Sequence, residues 1–407
     1  MELTAEERQW LDGGGGPALK RAMEIVVALG TIYGAQNLIP VESVQISGVS
    51  YRNIGDAGLR FLRQWADEGA QVRVPTTLNP TAMDMARWEE QGFSADFADK
   101  QRQVVDAFAQ MGVGEGTPLP TCTPYLIGNR PAQGTHVAWA ESSAVVFANS
   151  VLGARTNREG GPGAIAAALT GRTGAYGLHR AENRLATLCV EVRAGLDTIS
   201  DYSALGAIVG CQAGQAVSYL VGLPLDAADP LLEEKLKALG AAMAATGAVG
   251  LFHVAEVTPE ARAGPMLAPT YEKLVIDDVV PGYASLSDDV ESIDLVWIGC
   301  PHASLREIAL VAEALRDRMV QVPLWVTCAR PVRAIAVEQG LVSLIEAAGG
   351  RVFTDACMGI APLRDLGFGT VATPSAKGAF YLRNLAHVAA RFAPLEACIA
   401  TAVAGDR

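Results

Sequence analysis

The chain has 407 residues, half of them hydrophobic, and carries a formal net charge of −12. That is enough apolar sequence for two or three domain cores. The acidic balance argues against nucleic acid and anionic membrane as partners, but leaves small anionic ligands open, because those respond to local Arg and Lys.

The start is acidic, with Thr4 and Glu7 spaced as a capping box, and lacks the basic start and apolar core of a secretory signal. Residues 1–38 read as helices broken by Gly13-Gly14-Gly15-Gly16. No Gly-Lys-Ser/Thr follows that tract, so it reads as a turn rather than a phosphate loop. Residues 44–46 and 71–74 read as short buried strands. Between them a helix over 57–68 has Leu59, Phe61, Leu62 and Trp65 as apolar positions. Strand, helix, strand predicts a parallel sheet, and ligands of such sheets sit beyond strand carboxyl ends. The polar run Thr76-Thr77-Leu78-Asn79-Pro80 follows the second strand.

Residues 97–110 form another helix. The stretch Thr121-Cys122-Thr123-Pro124-Tyr125 then sets a thiol between two hydroxyls; a buried structural cysteine is its other reading. Residues 144–152 look buried. The next turn, Gly153 to Glu159, holds two cations, an amide, a hydroxyl and a carboxylate. Pro162 suits the first position of a helix over 164–170. That helix N-terminus, with Arg155 and Arg158, is a cradle for a carboxylate or phosphate. The alternative is an Arg–Glu cluster that only ties down a loop. Ser142, Ser143, Asn149, Ser150 and Asn157 around the apolar run point to a polar cavity, since buried polar groups are costly unless paired.

Residues 204–260 are rich in Ala and Gly, with helical character, and His253 there reads as core. The longest apolar run, 238–252, is too short to span a bilayer. Residues 265–289, with several prolines and acids, read as a connector. Strands over 293–298, 323–327 and 351–354 alternate with helices over 304–318 and 332–348, a β-α-β-α-β run with right-handed crossovers expected. Cys300, Cys328 and Cys357 fall at or just beyond its strand ends, about 5 Å apart from strand to strand, so these thiols can converge on one centre. There is no Cys-x-x-Cys, and His302 is the nearby imidazole, which disfavours a zinc ribbon. Cys300 precedes a helix whose N-terminal dipole favours thiolate. Seven scattered cysteines suit reduced thiols and a cytoplasmic location. Near the end, Ser375 and Lys377 form a local hydroxyl–amine pair, read as a turn before a helix over 380–392. The chain divides as 1–203, an α/β domain with the anion-binding loop; 204–285, the helical section and connector; and 286–407, the β-α-β-α-β domain with the thiols.

Several of these stretches carry a family resemblance. They are Ala138-Trp139-Ala140-Glu141-Ser142-Ser143, Ala148-Asn149-Ser150, residues 153–162, Thr76 to Pro80, Thr121 to Leu126, Tyr176-Gly177-Leu178-His179, Gly299-Cys300-Pro301-His302 and Asp355-Ala356-Cys357-Met358. In this order they resemble the large, catalytic part of the aconitase X family, over nearly the whole chain. The resemblance implies an aconitase-like, multi-domain α/β/α fold with parallel or mixed sheets and an iron centre at strand carboxyl ends. It implies Cys122, Cys300 and Cys357 as ligands of an iron–sulfur cluster or mononuclear iron. Cys328, which strand-end spacing alone would choose, ranks below Cys122. It gives Glu141, Ser142, Asn149, His179 and Lys377 catalytic parts, and assigns substrate contacts to Thr76, Thr77, Asn79, Ser143, Arg155, Asn157 and Arg158.

The wider superfamily moves water across a carbon–carbon bond. A metal draws off hydroxide, a base takes the proton beside a carboxylate, and cations hold that carboxylate. In relatives the base is a serine on a swivelling domain. No segment here resembles that domain, so a separate small subunit is expected, with the chain inactive alone. The family offers cis-3-hydroxy-L-proline and mevalonate 5-phosphate as substrates. Gln45 stands where many members are expected to have His, and Ala-rich composition leans the reading to hydroxyproline, with mevalonate 5-phosphate as the alternative. A non-catalytic iron- or metabolite-binding subunit is the reading from another class. A nicotinamide dehydrogenase is discounted, because no Gly-x-Gly-x-x-Gly follows a strand.

Overall fold

The computed structural model describes residues 1–405. Its three larger sheets are parallel, and a two-stranded antiparallel ribbon pairs Leu38–Pro40 with Arg172–Gly174. In the first sheet Val44–Ile46 lies between Thr76–Leu78 and Ala138–Trp139. The second has the order Phe252–Val254, Ser218–Val221, Ala186–Val192, Leu267–Ile276. The third runs Arg351–Thr354, Leu324–Cys328, Leu295–Ala303, Thr370–Thr373, Ala389–Phe392. The fold is α/β, with helices packed against these sheets as parallel pairing requires.

Local sequence explains most elements. Thr4 and Glu7 form the capping box, with Thr4 N–H donating to Glu7 at 2.9 Å and Glu7 N–H to Thr4 at 3.2 Å. Ser304 and Glu307 cap Leu305–Ala314 in the same way. In the second part, helices Ile199–Ala213 and Leu232–Gly247 approach so closely that a Cβ on Gly206 would lie 2.3 Å from the Leu239 carbonyl oxygen. The Ala/Gly-rich composition of this region is therefore what lets two helix backbones meet.

Four expectations shift. The strand expected at 71–74 forms instead at Thr76–Leu78. Val72 and Arg73 give their N–H groups to the Met111 and Ala168 carbonyls, so they have left the ladder before Pro75. The 332–348 helix breaks into Arg330–Glu338 and Leu341–Ala347, because Gly340 takes φ +74. The helix expected over 380–392 is Ala376–Tyr381, followed by a π-turn and by His387 in the left-handed region. Its tail then becomes the edge strand Ala389–Phe392. The connector at 265–289 contains the ten-residue strand Leu267–Ile276. This edge strand is mostly exposed and contains Pro269, and so mimics a linker. No helix among the described residues is long and apolar enough to cross a membrane.

Candidate active site

The first and third sheets direct their carboxyl ends at one another. Just past those ends lie Ser47 and Gly48, Asn79 and Pro80, Ala140 and Glu141, Cys357, and Lys377. All of them line one cavity of about 530 Å³, with Cys122, Arg158, Glu159, Gly160, Cys300, His302 and Tyr381. The seam between the two sheets is bonded by main chain: Thr81 N–H donates to the Asp355 carbonyl at 2.8 Å and Cys357 N–H to the Thr81 carbonyl at 2.9 Å.

Cys122, Cys300 and Cys357 all reach this cavity. Cys300 lies on strand Leu295–Ala303, where the ladder slips between Ile298 and Ala303. Gly299 enables the slip. It takes φ +106, and a Cβ there would lie 2.1 Å from the Thr327 carbonyl oxygen. Cys328 instead packs in the apolar core of the third sheet, fully buried. Burial pushes the Cys122 thiol up to about 11, that of Cys357 to about 12 and that of Cys300 well above the ordinary range, against the opposing charge of Lys377. The expected helix-dipole activation of Cys300 is therefore corrected. Its helix starts only at Leu305 and is capped by its own Ser304, while Cys300 is desolvated. Such thiols become thiolates when a metal displaces the proton. All seven cysteines are free. Among the described residues no three His, Cys, Asp or Glu side chains gather around one metal-ion position.

Beside the thiols lies a buried ion pair. Lys377 Nζ donates to Glu141 Oε1 and, at 2.8 Å, to Ser143 Oγ. Ser143 Oγ passes a hydrogen bond to Glu141 at 3.1 Å, and Asn79 Nδ2 donates to the other carboxylate oxygen at 2.9 Å. Burial alone would push the Glu141 carboxyl up, but Lys377 and Asn79 outweigh it and hold it at about 2. Burial likewise opposes the charge on Lys377, and Glu141 overrides it, raising this lysine above its ordinary value. Ser142 sits in the first turn of helix Ser142–Ser150, with its hydroxyl 3.4 Å from the Tyr381 hydroxyl. Ser375 Oγ caps its own helix by accepting from Gly378 N–H at 3.0 Å, so it makes no pair with Lys377.

The anion-binding turn splits into two faces. Arg158 lines the cavity, exposed, and its guanidinium has no partner among the described residues. Arg155, expected to hold substrate, turns the other way and donates from Nη1 to the His179 carbonyl at 3.1 Å. Asn157 also faces that side, bonding Tyr176 O at 3.1 Å and Leu178 N–H at 2.8 Å. The chain is extended here, bridged at His136–Arg155 and Trp139–Arg158. Positions an odd number apart then point to opposite faces.

His179 lies behind this turn, 3.0 Å from the His136 ring through the two Nδ1 atoms. Burial pushes it down to about 3, with His136 adding to the shift. Asn149 is fully occupied: it bonds Thr156 through both main-chain groups, the Gly250 carbonyl and Arg184. Thr76 and Thr77 form the strand itself, and line a separate polar groove of about 750 Å³. Arg155, Asn157, His179, Asn149, Thr76 and Thr77 are thus outside the cavity. Tyr381, which lines the cavity, is absent from the sequence reading. Tyr381 stands four residues after Lys377, one helical turn on, and that spacing was the available signal.

The first, second and third domains of the aconitase X family match residues 1–182, 186–279 and 293–404. The chain is 48% identical over 384 residues to the phosphomevalonate dehydratase large subunit of Methanothermobacter thermautotrophicus, covering 94% of each chain. It is 38% identical to the cis-3-hydroxy-L-proline dehydratase of Pseudomonas aeruginosa, over 99% of this chain and 70% of that protein. The crystal structure of Thermococcus kodakaraensis aconitase X, holo-form, superposes with a TM-score of 0.90 at 44% identity, covering 99% of this chain and all of that one.

Proposed function

Because this chain belongs to the aconitase X family, we propose that it is the large subunit of a dehydratase that removes water from mevalonate 5-phosphate. One observation carries the reading: three thiols, a buried Lys–Glu pair and an unpaired arginine share a single cavity. The planar fork of Arg158, which forms no hydrogen bond or ion pair among the described residues, suits a phosphate, whereas the Lys377 charge is already paired with Glu141. Hydroxyproline has one anionic group and an ammonium. Identities of 48% and 45% to two relatives named for phosphomevalonate, against 38% and 36% to two named for hydroxyproline, support the same choice, against the hydroxyproline reading drawn from composition.

The residues fit an iron–sulfur centre. Cys122, Cys300 and Cys357, which line the same cavity, would hold it through their thiolates. When bound, such a centre supplies the Lewis acidity that draws hydroxide from the substrate. The protein's own part is electrostatic. Lys377 offers a fixed positive charge beside the thiols, and Arg158 offers a planar fork suited to phosphate. Against the effect of burial, Lys377 and Asn79 hold Glu141 ionised, well below the usual carboxylate range. The relatives named as large subunits support a small subunit as partner, and the base is read there.

The test is assay of anaerobically reconstituted protein with each substrate, alone and with its small subunit. Water loss from mevalonate 5-phosphate only in the presence of both chains is expected. Turnover of cis-3-hydroxy-L-proline alone would overturn the substrate. Turnover by the single chain would overturn the two-subunit reading.

A further inference from the structure

The three thiols arrive on segments far apart in sequence, and one residue of the Cys300 segment is bonded to both of the others. His302 is 1% exposed and lies two residues past Cys300. Its Nδ1 is 2.9 Å from Thr121 Oγ1, in the Cys122 loop. Its Nε2 is 2.9 Å from the Ala356 carbonyl oxygen, next to Cys357. Its own main-chain N–H donates to Cys122 Sγ at 3.2 Å. A carbonyl only accepts, so Nε2 carries the ring proton, and Nδ1 accepts from the Thr121 hydroxyl. Thr121 Oγ1 in turn accepts from Thr123 N–H at 3.1 Å, and Gln45 Nε2 donates to the Thr121 carbonyl at 2.9 Å. Every polar atom of the imidazole is used in bracing, and none is left for chemistry.

We propose that His302 is a positioning residue that holds the Cys122 and Cys357 loops against the Cys300 strand before any metal arrives. This rests on the reading of the three cysteines as ligands. The brace has two separable halves. An asparagine at 302 can keep the acceptor near Nδ1, toward Thr121. A glutamine can keep the farther donor, toward Ala356.

The experiment uses metal-free full-length protein and iodoacetamide, with alkylation of each cysteine followed by mass spectrometry. In His302→Ala, Cys122 and Cys357 should react roughly tenfold faster as their loops open locally. Cys328 and Cys398, buried in the third-sheet core, should keep their wild-type rates. His302→Asn should protect Cys122 again but not Cys357, and His302→Gln the reverse. Iron bound per chain after reconstitution should fall in the alanine variant and recover partly in each of the other two. Wild-type alkylation of Cys122 and Cys357 in His302→Ala overturns the proposal. If the alanine variant loses its fold and all cysteines react, Thr121→Val decides: it should expose Cys122 alone, and no change at Cys122 overturns the brace. Altered alkylation with undiminished iron overturns the ligand reading instead, leaving the brace standing.

Discussion

Lys377, on the short helix Ala376–Tyr381, donates to the carboxylate of Glu141, 236 positions earlier in the chain. The bond joins the carboxyl ends of the first and third sheets at the floor of the cavity. Both groups are charged and nearly excluded from water, at 5% and 12% side-chain exposure. Removing one partner strands the other. Lys377→Met should therefore destabilise the protein by about 3 kcal/mol or more, whereas the double change Lys377→Met with Glu141→Leu should recover much of that loss. Chemical denaturation of the two variants and the wild type gives the comparison. Turnover should be lost in both variants, because the positive charge beside the thiols is gone.

The two arginines of the anion-binding turn should separate cleanly in kinetics. Arg158→Ala removes a charge-assisted contact worth about 1.5–3 kcal/mol, so KM for the phosphorylated substrate should rise about 10- to 100-fold with kcat less affected. Arg155→Ala should leave KM near wild type and lower the unfolding midpoint, since its guanidinium holds the His179 carbonyl. A KM rise in the Arg155 variant alone would reverse the assignment.

The thiols make a third contrast. Cys→Ser at 122, 300 or 357 should each lower iron content and visible absorption after reconstitution. Cys328→Ser should keep both, because that thiol lies in an apolar core away from the cavity. Its cost should be one of stability, from a hydroxyl placed among Val and Ile.

The pair His136–His179 gives a pH dependence. Burial holds His179 neutral in the folded chain, down to about 3, against an unfolded value of about 6.5. A depressed folded value means that the unfolded chain binds the proton first. Stability from this group is complete above about 6.5 and is lost as pH falls toward 3. His179→Gln should flatten that part of the stability profile, measured by thermal unfolding from pH 7 to 4. An unchanged slope would mean that other groups dominate acid unfolding.

How much of this was legible in the sequence depends on distance along the chain. The β-α-β-α-β run near the end, the capping box at Thr4 and the helix starting near Pro162 follow from local periodicity and end signals, and each formed. Strand-end logic brought Cys300 and Cys357 to one sheet edge but chose Cys328 beside them, because spacing cannot tell a thiol that enters a crevice from one that enters a core. Cys122 came only through family resemblance; its loop is placed by Gln45 and His302, neither adjacent to it in sequence. Arg155 and Arg158 were read as one cradle. The period of two in an extended segment, visible in the numbering, sets them on opposite faces. Edge strands Leu267–Ile276 and Ala389–Phe392 were missed for a common reason: an exposed or short strand offers too few buried positions to show its alternation.

The main-chain seam that sews Cys357 to Thr81 also sets a clock on biosynthesis. Cys122 leaves the ribosome about 235 residues before Cys357, and Lys377 follows later still. At ordinary elongation speeds of about 5–20 residues per second, the first thiol waits roughly 10–50 s for its companions. For most of that interval it lacks the His302 N–H, made 180 residues after it, and throughout it lacks the Lys377 charge. The cavity closes only when the last strands join, so a centre held by these three thiols would be loaded after Cys357 and Lys377 are made, and until then Cys122 depends on whatever keeps the nascent chain reduced.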